Sequence, residues 1–228
     1  MKSPLTSLLG TLLITLAATS CSDQPEPSDT ITAYDIVCLE SVTSTVTTFT
    51  LTKPNGSELI RYHAAGRFDT TYVKPSQRLM LAYIPALGTP YRSGNIKPIG
   101  YSLIHNDSLR HGYITNHRDW DKDPVYMLSA WMSQDYLNLR ARLPYDTHPR
   151  VLGLLVDSLT LDTPYPDCYL IHTLDGDVNS FDRNYYMSFD VSSLRHLDNC
   201  RGFNLIINNS NMKIDKYIFT LNNNNHGQ

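Results

Sequence analysis

Asp119, Asp121 and Asp123 alternate with Trp120 and Lys122, and carboxylates at that spacing are the groups that offer oxygen ligands to Ca²⁺. An EF-hand loop also needs a glycine at its sixth position and a glutamate at its twelfth, and residues 120–142 contain neither. The eight histidines include His105, His111 and His117 at six-residue steps, but none falls in a His-Glu-x-x-His or other recognised ligand spacing. There is no Gly-x-Ser-x-Gly elbow, no phosphate-binding glycine loop and no Cys-x-x-Cys. The expectation is therefore no metal, no cofactor and no catalytic residue. A hydrolase built on Asp residues gathered by the fold is the alternative, because a carboxylate pair leaves no local spacing signature. What remains is recognition chemistry: fifteen Tyr and two Trp offer stacking faces for a sugar or a peptide. Trp131 lies in an expected strand and reads as core. Trp120, flanked by Asp119 and Asp121 in a loop, reads as exposed, so these three are the candidate binding residues, set against the plainer reading of a solvated hinge.

Cysteine chemistry points to the cell envelope. Residues 1–20 read as a signal peptide, with a positive Lys2, an apolar stretch from Leu5 to Ala18, and Ala18-Thr19-Ser20 before Cys21. The apolar stretch is shorter than the roughly 20 residues that span a bilayer. Ala18-Thr19-Ser20-Cys21 resembles the bacterial lipobox, which makes Cys21 the expected lipidated residue and the membrane an expected partner through its lipid. Residues 21–32 read as a polar, Pro-containing tether. The acids behind Cys21 resemble the signal that carries Bacteroidetes lipoproteins to the outer face, so the expected address is the outer membrane, exposed at the cell surface. Of the remaining cysteines, Cys168 and Cys200 are the candidate disulfide and Cys38 the odd one out. Asp29-Thr30-Ile31 and Asp107-Ser108-Leu109 resemble the Bacteroidetes O-glycosylation tripeptide, which makes Thr30 and Ser108 candidate acceptors.

The elements that must position these residues are strands. Nineteen Asp stand against three Glu, and Thr, Ser, Asn and Tyr are plentiful, so good helix formers are scarce. Val46 to Thr52 and Glu58 to His63 flank the turn Lys53-Pro54-Asn55-Gly56 as a hairpin. Leu79, Leu81 and Tyr83 share one face, and Ile99, Tyr101 and Leu103 repeat the alternation one strand later. Periodicity is lost from His111 to Asp123, where we place the domain boundary. Beyond it, Leu137, Leu139 and Ala141 alternate with Asn138, Arg140 and Arg142, and further short strands separated by Pro, Gly and Asn turns read as a β-sandwich. The expected order is a β-barrel over 33–117, a sandwich over 118–221 and a polar tail at 222–228. The formal charge is −3. An acidic exported chain is a poor match for nucleic acid, so no nucleic-acid partner is expected.

Trp131-Met132-Ser133-Gln134-Asp135-Tyr136-Leu137-Asn138-Leu139-Arg140, Asp175-Gly176-Asp177 and Tyr186-Met187-Ser188-Phe189-Asp190-Val191 resemble, in that order, the NigD-like lipoproteins of Bacteroidetes. Gln77 to Tyr83 carries a weaker likeness to the family's first module, although Ser76 stands where glycine is common there. The resemblance implies an all-β chain, an N-terminal OB-like barrel followed by a C-terminal immunoglobulin-like sandwich, and it carries no catalytic role to any residue. The functional expectation is a lipid-anchored, non-enzymatic binding or display module for a protein, peptide or glycan. The alternatives are an envelope hydrolase and a bacteriocin-related accessory or immunity protein.

Overall fold

Alternation of period two and a wealth of β-branched and aromatic residues give strands throughout. The computed structural model describes residues 31–221 apart from 55, 57, 70, 146–149 and 176–180, and among these there is no α-helix. The signal segment, Cys21, Thr30, the tail at 222–228, and Asn55, Gly176 and Asp177 of the expected turns lie outside the described residues.

The first five strands are β1 (Ala33–Val42), β2 (Val46–Thr52), β3 (Leu59–Ala65), β4 (Arg78–Pro85) and β5 (Gly94–Leu103). They close into a barrel in the order β1-β2-β3-β5-β4, which is the OB-like barrel expected from the sequence. The hairpin of β2 and β3 pairs Val46 with Ala65 and Thr52 with Leu59. Inward-facing Leu39, Phe49, Ile60, Tyr62, Leu79, Leu81 and Tyr83 have no exposed surface and form the barrel core. Ile99 departs from the expected alternation. It is the extra residue of a bulge, since Ala82 pairs with Gly100 and Tyr83 with Pro98, and it is exposed. Ser76 takes φ 70°, the left-handed conformation that explains why a glycine suits the corresponding turn.

The remaining strands form two packed sheets. One has the order β6-β12-β9-β8, from β6 (His105–Ser108), β8 (Tyr126–Ser133), β9 (Tyr136–Pro144) and β12 (Asp182–Asp190). The other has the order β14-β13-β11-β10-β7, from β7 (Arg110–Gly112), β10 (Arg150–Asp157), β11 (Asp167–Leu174), β13 (Gly202–Ile206) and β14 (Lys216–Thr220). Leu137, Leu139, Leu143, Met187 and Phe189 of the first sheet meet Leu154, Val156, Phe203 and Leu205 of the second in one core.

Strand pairing moves the change from barrel to sandwich. β6 pairs with β12 and β7 with β10, so residues 105–112, assigned by the sequence reading to the barrel, are strands of the sandwich. Only Ile104 separates β5 from β6, and Leu109, between β6 and β7, is buried in the core where the chain crosses from one sheet to the other. The charged stretch begins in β7, and from Tyr113 to Asp123 it forms a loop within the sandwich. A loss of periodicity reports a loop, and a domain change made inside an extended run leaves no such mark.

Candidate functional site

The loop carrying Asp119, Trp120 and Asp121 runs over the outer face of the β14-β13-β11-β10-β7 sheet, away from the barrel. Trp120 is half-buried, with its ring edge-on to Tyr169 at 5.0 Å. A broad concavity of about 580 Å³ lies beside it, lined by residues of this loop with Val151, Ile171 and Thr173, and no barrel residue takes part. The expected position of these residues at the domain junction is therefore corrected. The three acids also diverge: Asp119 and Asp121 are exposed, whereas Asp123 turns inward and its Oδ2 accepts the Leu174 N–H at 2.7 Å.

Cys168 and Cys200 are both buried and are free thiols, so the expected bridge is absent from this structure. The Cys200 thiol donates to the Gly202 carbonyl at 3.1 Å. Burial pushes both thiols up, which holds them in the protonated, slow-reacting form. Ser108 is exposed on β6 beside Asp107, whose carboxylate accepts the Ser108 N–H at 2.9 Å and pairs with Arg110.

The barrel and the sandwich meet elsewhere, and the register builds that junction. In β1 and β4 the outward residues Ile36 and Met80 are paired, as are Cys38 and Arg78. This wall faces the outer surface of the β6-β12-β9-β8 sheet. There, cross-strand pairing sets Ser129, Arg140 and Tyr186 in one row, and Trp131, Asn138, Ser188 and Asn106 in the next. Three hydrogen bonds tie the surfaces together: Ser133 Oγ donates to the Thr52 carbonyl (3.0 Å), Asn106 Nδ2 to the Arg78 carbonyl (2.9 Å), and Arg78 Nη2 to Asn138 Oδ1 (3.2 Å).

Beside these ties lies a cleft of about 330 Å³ whose walls include Tyr34, Arg78 and Tyr91 from the barrel and Trp131, Arg140 and Tyr186 from the sandwich. Arg78 is 5% exposed, and its guanidinium lies 4.2 Å from the centre of the Tyr136 ring. Burial pulls it down to about 10, so it remains a cation at neutral pH. Arg140 lies 5.7 Å over Tyr186. Neither arginine has an ion-pair partner among the described residues. Arg78 Nε, Arg140 Nε and Asn138 Nδ2 are all buried without an acceptor. Asn138 Oδ1 already accepts from both Arg78 and Ser188 Oγ, so flipping the amide would only set donor against donor. A buried unmet donor costs about 1–3 kcal/mol, and a charged one more.

The acid of the cleft is differently placed. Asp35 accepts the Tyr83 hydroxyl at 2.7 Å and the Tyr91 hydroxyl at 2.9 Å, while the Tyr62 and Tyr83 hydroxyls lie 2.8 Å apart. Burial, the Tyr62 contact and Asp35 push the Tyr83 hydroxyl up, so it keeps its proton and donates.

Sequence reasoning placed Trp131 in the core, and the structure places it in the cleft wall. A bulge is responsible: Met127 pairs with Ala141 and Ser129 with Arg140, leaving Leu128 as an extra residue that reverses which side chains face the core. Arg140 was legible as an outward residue of its strand, but the barrel wall that covers it was not.

The family model for NigD-like C-terminal beta sandwich domains matches residues 110–221. No curated protein matches the chain. Among solved structures, a protein of unknown function from Bacteroides vulgatus is 18% identical, with a TM-score of 0.64, over 83% of this chain and 90% of that one. A NigD-like immunity protein from Bacteroides caccae is 15% identical, with a TM-score of 0.57, over 82% of this chain and 91% of that one. A protein described as a lipoprotein from Bacteroides fragilis is 8% identical, with a TM-score of 0.57, over 84% and 93%. These likenesses extend across both barrel and sandwich, and at such identities they speak to fold alone. Residues 110–221 therefore belong to the family of NigD-like C-terminal beta sandwich domains.

Proposed function

We propose that the protein is a lipid-anchored, non-enzymatic binding module of the bacterial cell envelope, and that it takes its ligand in the cleft between barrel and sandwich. The observation that carries this reading is the surplus of buried donors at the junction, Arg78 Nε, Asn138 Nδ2 and Arg140 Nε, of which Arg78 and Arg140 belong to residues of the cleft wall. Buried donors without acceptors call for an acceptor from outside the chain, and a ligand in the adjoining cleft is the one proposed here. The reading is favoured over a hydrolase because the cleft is lined by one carboxylate, Asp35, and both of its oxygens accept tyrosine hydroxyls. Hydrolysis by paired carboxylates needs two. The anchor is supported by the lipobox-like Ala18-Thr19-Ser20-Cys21 and by the description of the Bacteroides fragilis neighbour as a lipoprotein.

Arrayed glycans and peptides test the site. Trp131→Ala should lose the ligands that the wild-type protein retains, by about 2 kcal/mol, while Trp120→Ala keeps them. The reverse pattern would move the site to the outer sheet, and chemical conversion of a retained ligand would end the non-enzymatic reading. Cys21→Ser should abolish detergent partitioning, and acyl label persisting on that variant would refute the anchor. The description of the Bacteroides caccae neighbour as an immunity protein favours a second reading, in which the protein protects its own cell against a bacteriocin. A deletion strain that is no more sensitive than its parent to supernatants of sibling strains would exclude it.

A further inference from the structure

The junction lacks an acceptor of a particular kind. The buried side-chain atoms without partners there are all donors, and two of the three belong to guanidinium groups. The charged residues of the cleft wall are Asp35, Arg78 and Arg140, one acid against two bases, so the wall carries a net charge of +1. That balance suits a monoanion. A dianionic phosphate would leave excess negative charge beside Asp35.

The rest of the wall indicates what bears the charge. Trp131, Tyr186 and Tyr34 contribute aromatic rings to the wall, and Ser129 and Ser133 add hydroxyls, in a space of about 330 Å³ that holds one sugar ring. Aromatic faces stack on the C–H faces of a pyranose, and arginine N–H groups match carboxylate oxygens.

Taking the cleft as the binding site proposed above, we infer that it receives the carboxylate of an acidic sugar, a uronic acid residue of a glycan, between Arg78 and Arg140. The carboxylate lies between the two guanidinium groups, and Trp131 forms part of the wall against the ring. Asp190 acts on Arg78 from beyond ion-pair distance, and the ligand supplies the direct partner.

The chain has two tryptophans, so Trp120→Phe leaves Trp131 as the sole indole reporter. The full-length protein carrying that change, in detergent, is titrated with millimolar glucuronate, glucose, glucose 6-phosphate and trialanine while Trp131 fluorescence is followed. Glucuronate should give a saturable change, with the other three at least tenfold weaker. Arg140→Met and Arg78→Met should each weaken glucuronate at least tenfold. The melting temperature of Arg78→Met should hold or rise, because a buried unpaired cation is removed. If Arg78→Met fails to fold, Arg140→Met carries the test. Equal or tighter binding of glucose, the phosphate or the peptide overturns the acidic-sugar assignment and leaves the cleft as a binding site. Glucuronate binding untouched by either arginine variant overturns the assignment as well. Silence from all four probes overturns both.

Discussion

His172 lies between the two sheets of the sandwich, 1% exposed, with Nδ1 3.0 Å from the Asp123 carbonyl and Nε2 3.3 Å from Arg150 Nη1. A carbonyl needs a donor and a guanidinium needs an acceptor, so the ring is neutral with its proton on Nδ1. Burial pulls its pKa below the ordinary 6.5, and Arg150 works in the same direction. The native state therefore binds fewer protons here than the unfolded chain. Stability from this group is complete above pH 6.5 and is lost as pH falls below it. Thermal melts should show the melting temperature dropping from pH 7.5 to pH 5.5. His172→Gln should cost about 1–2 kcal/mol at pH 7.5 and flatten part of that slope. An unchanged slope would mean that His105, which burial also pulls down, carries the acid limb instead. His172 falls in a run, Tyr169 to Thr173, legible as a strand, but its partners come from Asp123 and Arg150, and only the fold brings a loop and a strand end to the same ring.

At the scale of elements, β6 and β7 hold the sandwich closed. They pair with β12 and β10, and Leu109 between them enters the common core. A fragment beginning at residue 118, the boundary read from periodicity, would bare an edge of each sheet and lose Leu109, whose burial alone contributes about 2 kcal/mol. A fragment beginning at 104 keeps all three contributions. In urea titrations followed by circular dichroism, the longer fragment should unfold cooperatively while the shorter one aggregates or lacks a transition. A cooperative transition of equal midpoint in both would show that the crossing strand is dispensable. Hairpins and core faces were visible in the sequence because alternation of side-chain type is local, as with Leu79, Leu81 and Tyr83 or Leu137, Leu139 and Ala141. The two bulges were not, because the extra residues Ile99 and Leu128 resemble their neighbours in chemistry and differ only in register. The misreading of Trp131 follows from the second.

For the whole molecule, the acidic charge and the lack of catalytic motifs directed the sequence reading to binding, but the cleft requires two surfaces whose residues are far apart in sequence. Arg78 and Asn138 are 60 positions apart and meet only once the barrel wall and the sheet are both built. The join between them is a single residue, Ile104, backed by hydrogen bonds from Ser133, Asn106 and Arg78. So short a connector gives little slack, and the three hydrogen bonds across the junction oppose hinge motion about it. The cleft is therefore formed in the free protein, and association of the proposed ligand is expected to need no prior opening step. Its observed rate should climb in proportion to ligand concentration without reaching a plateau, and selectivity between occupants should reside in how long each one stays.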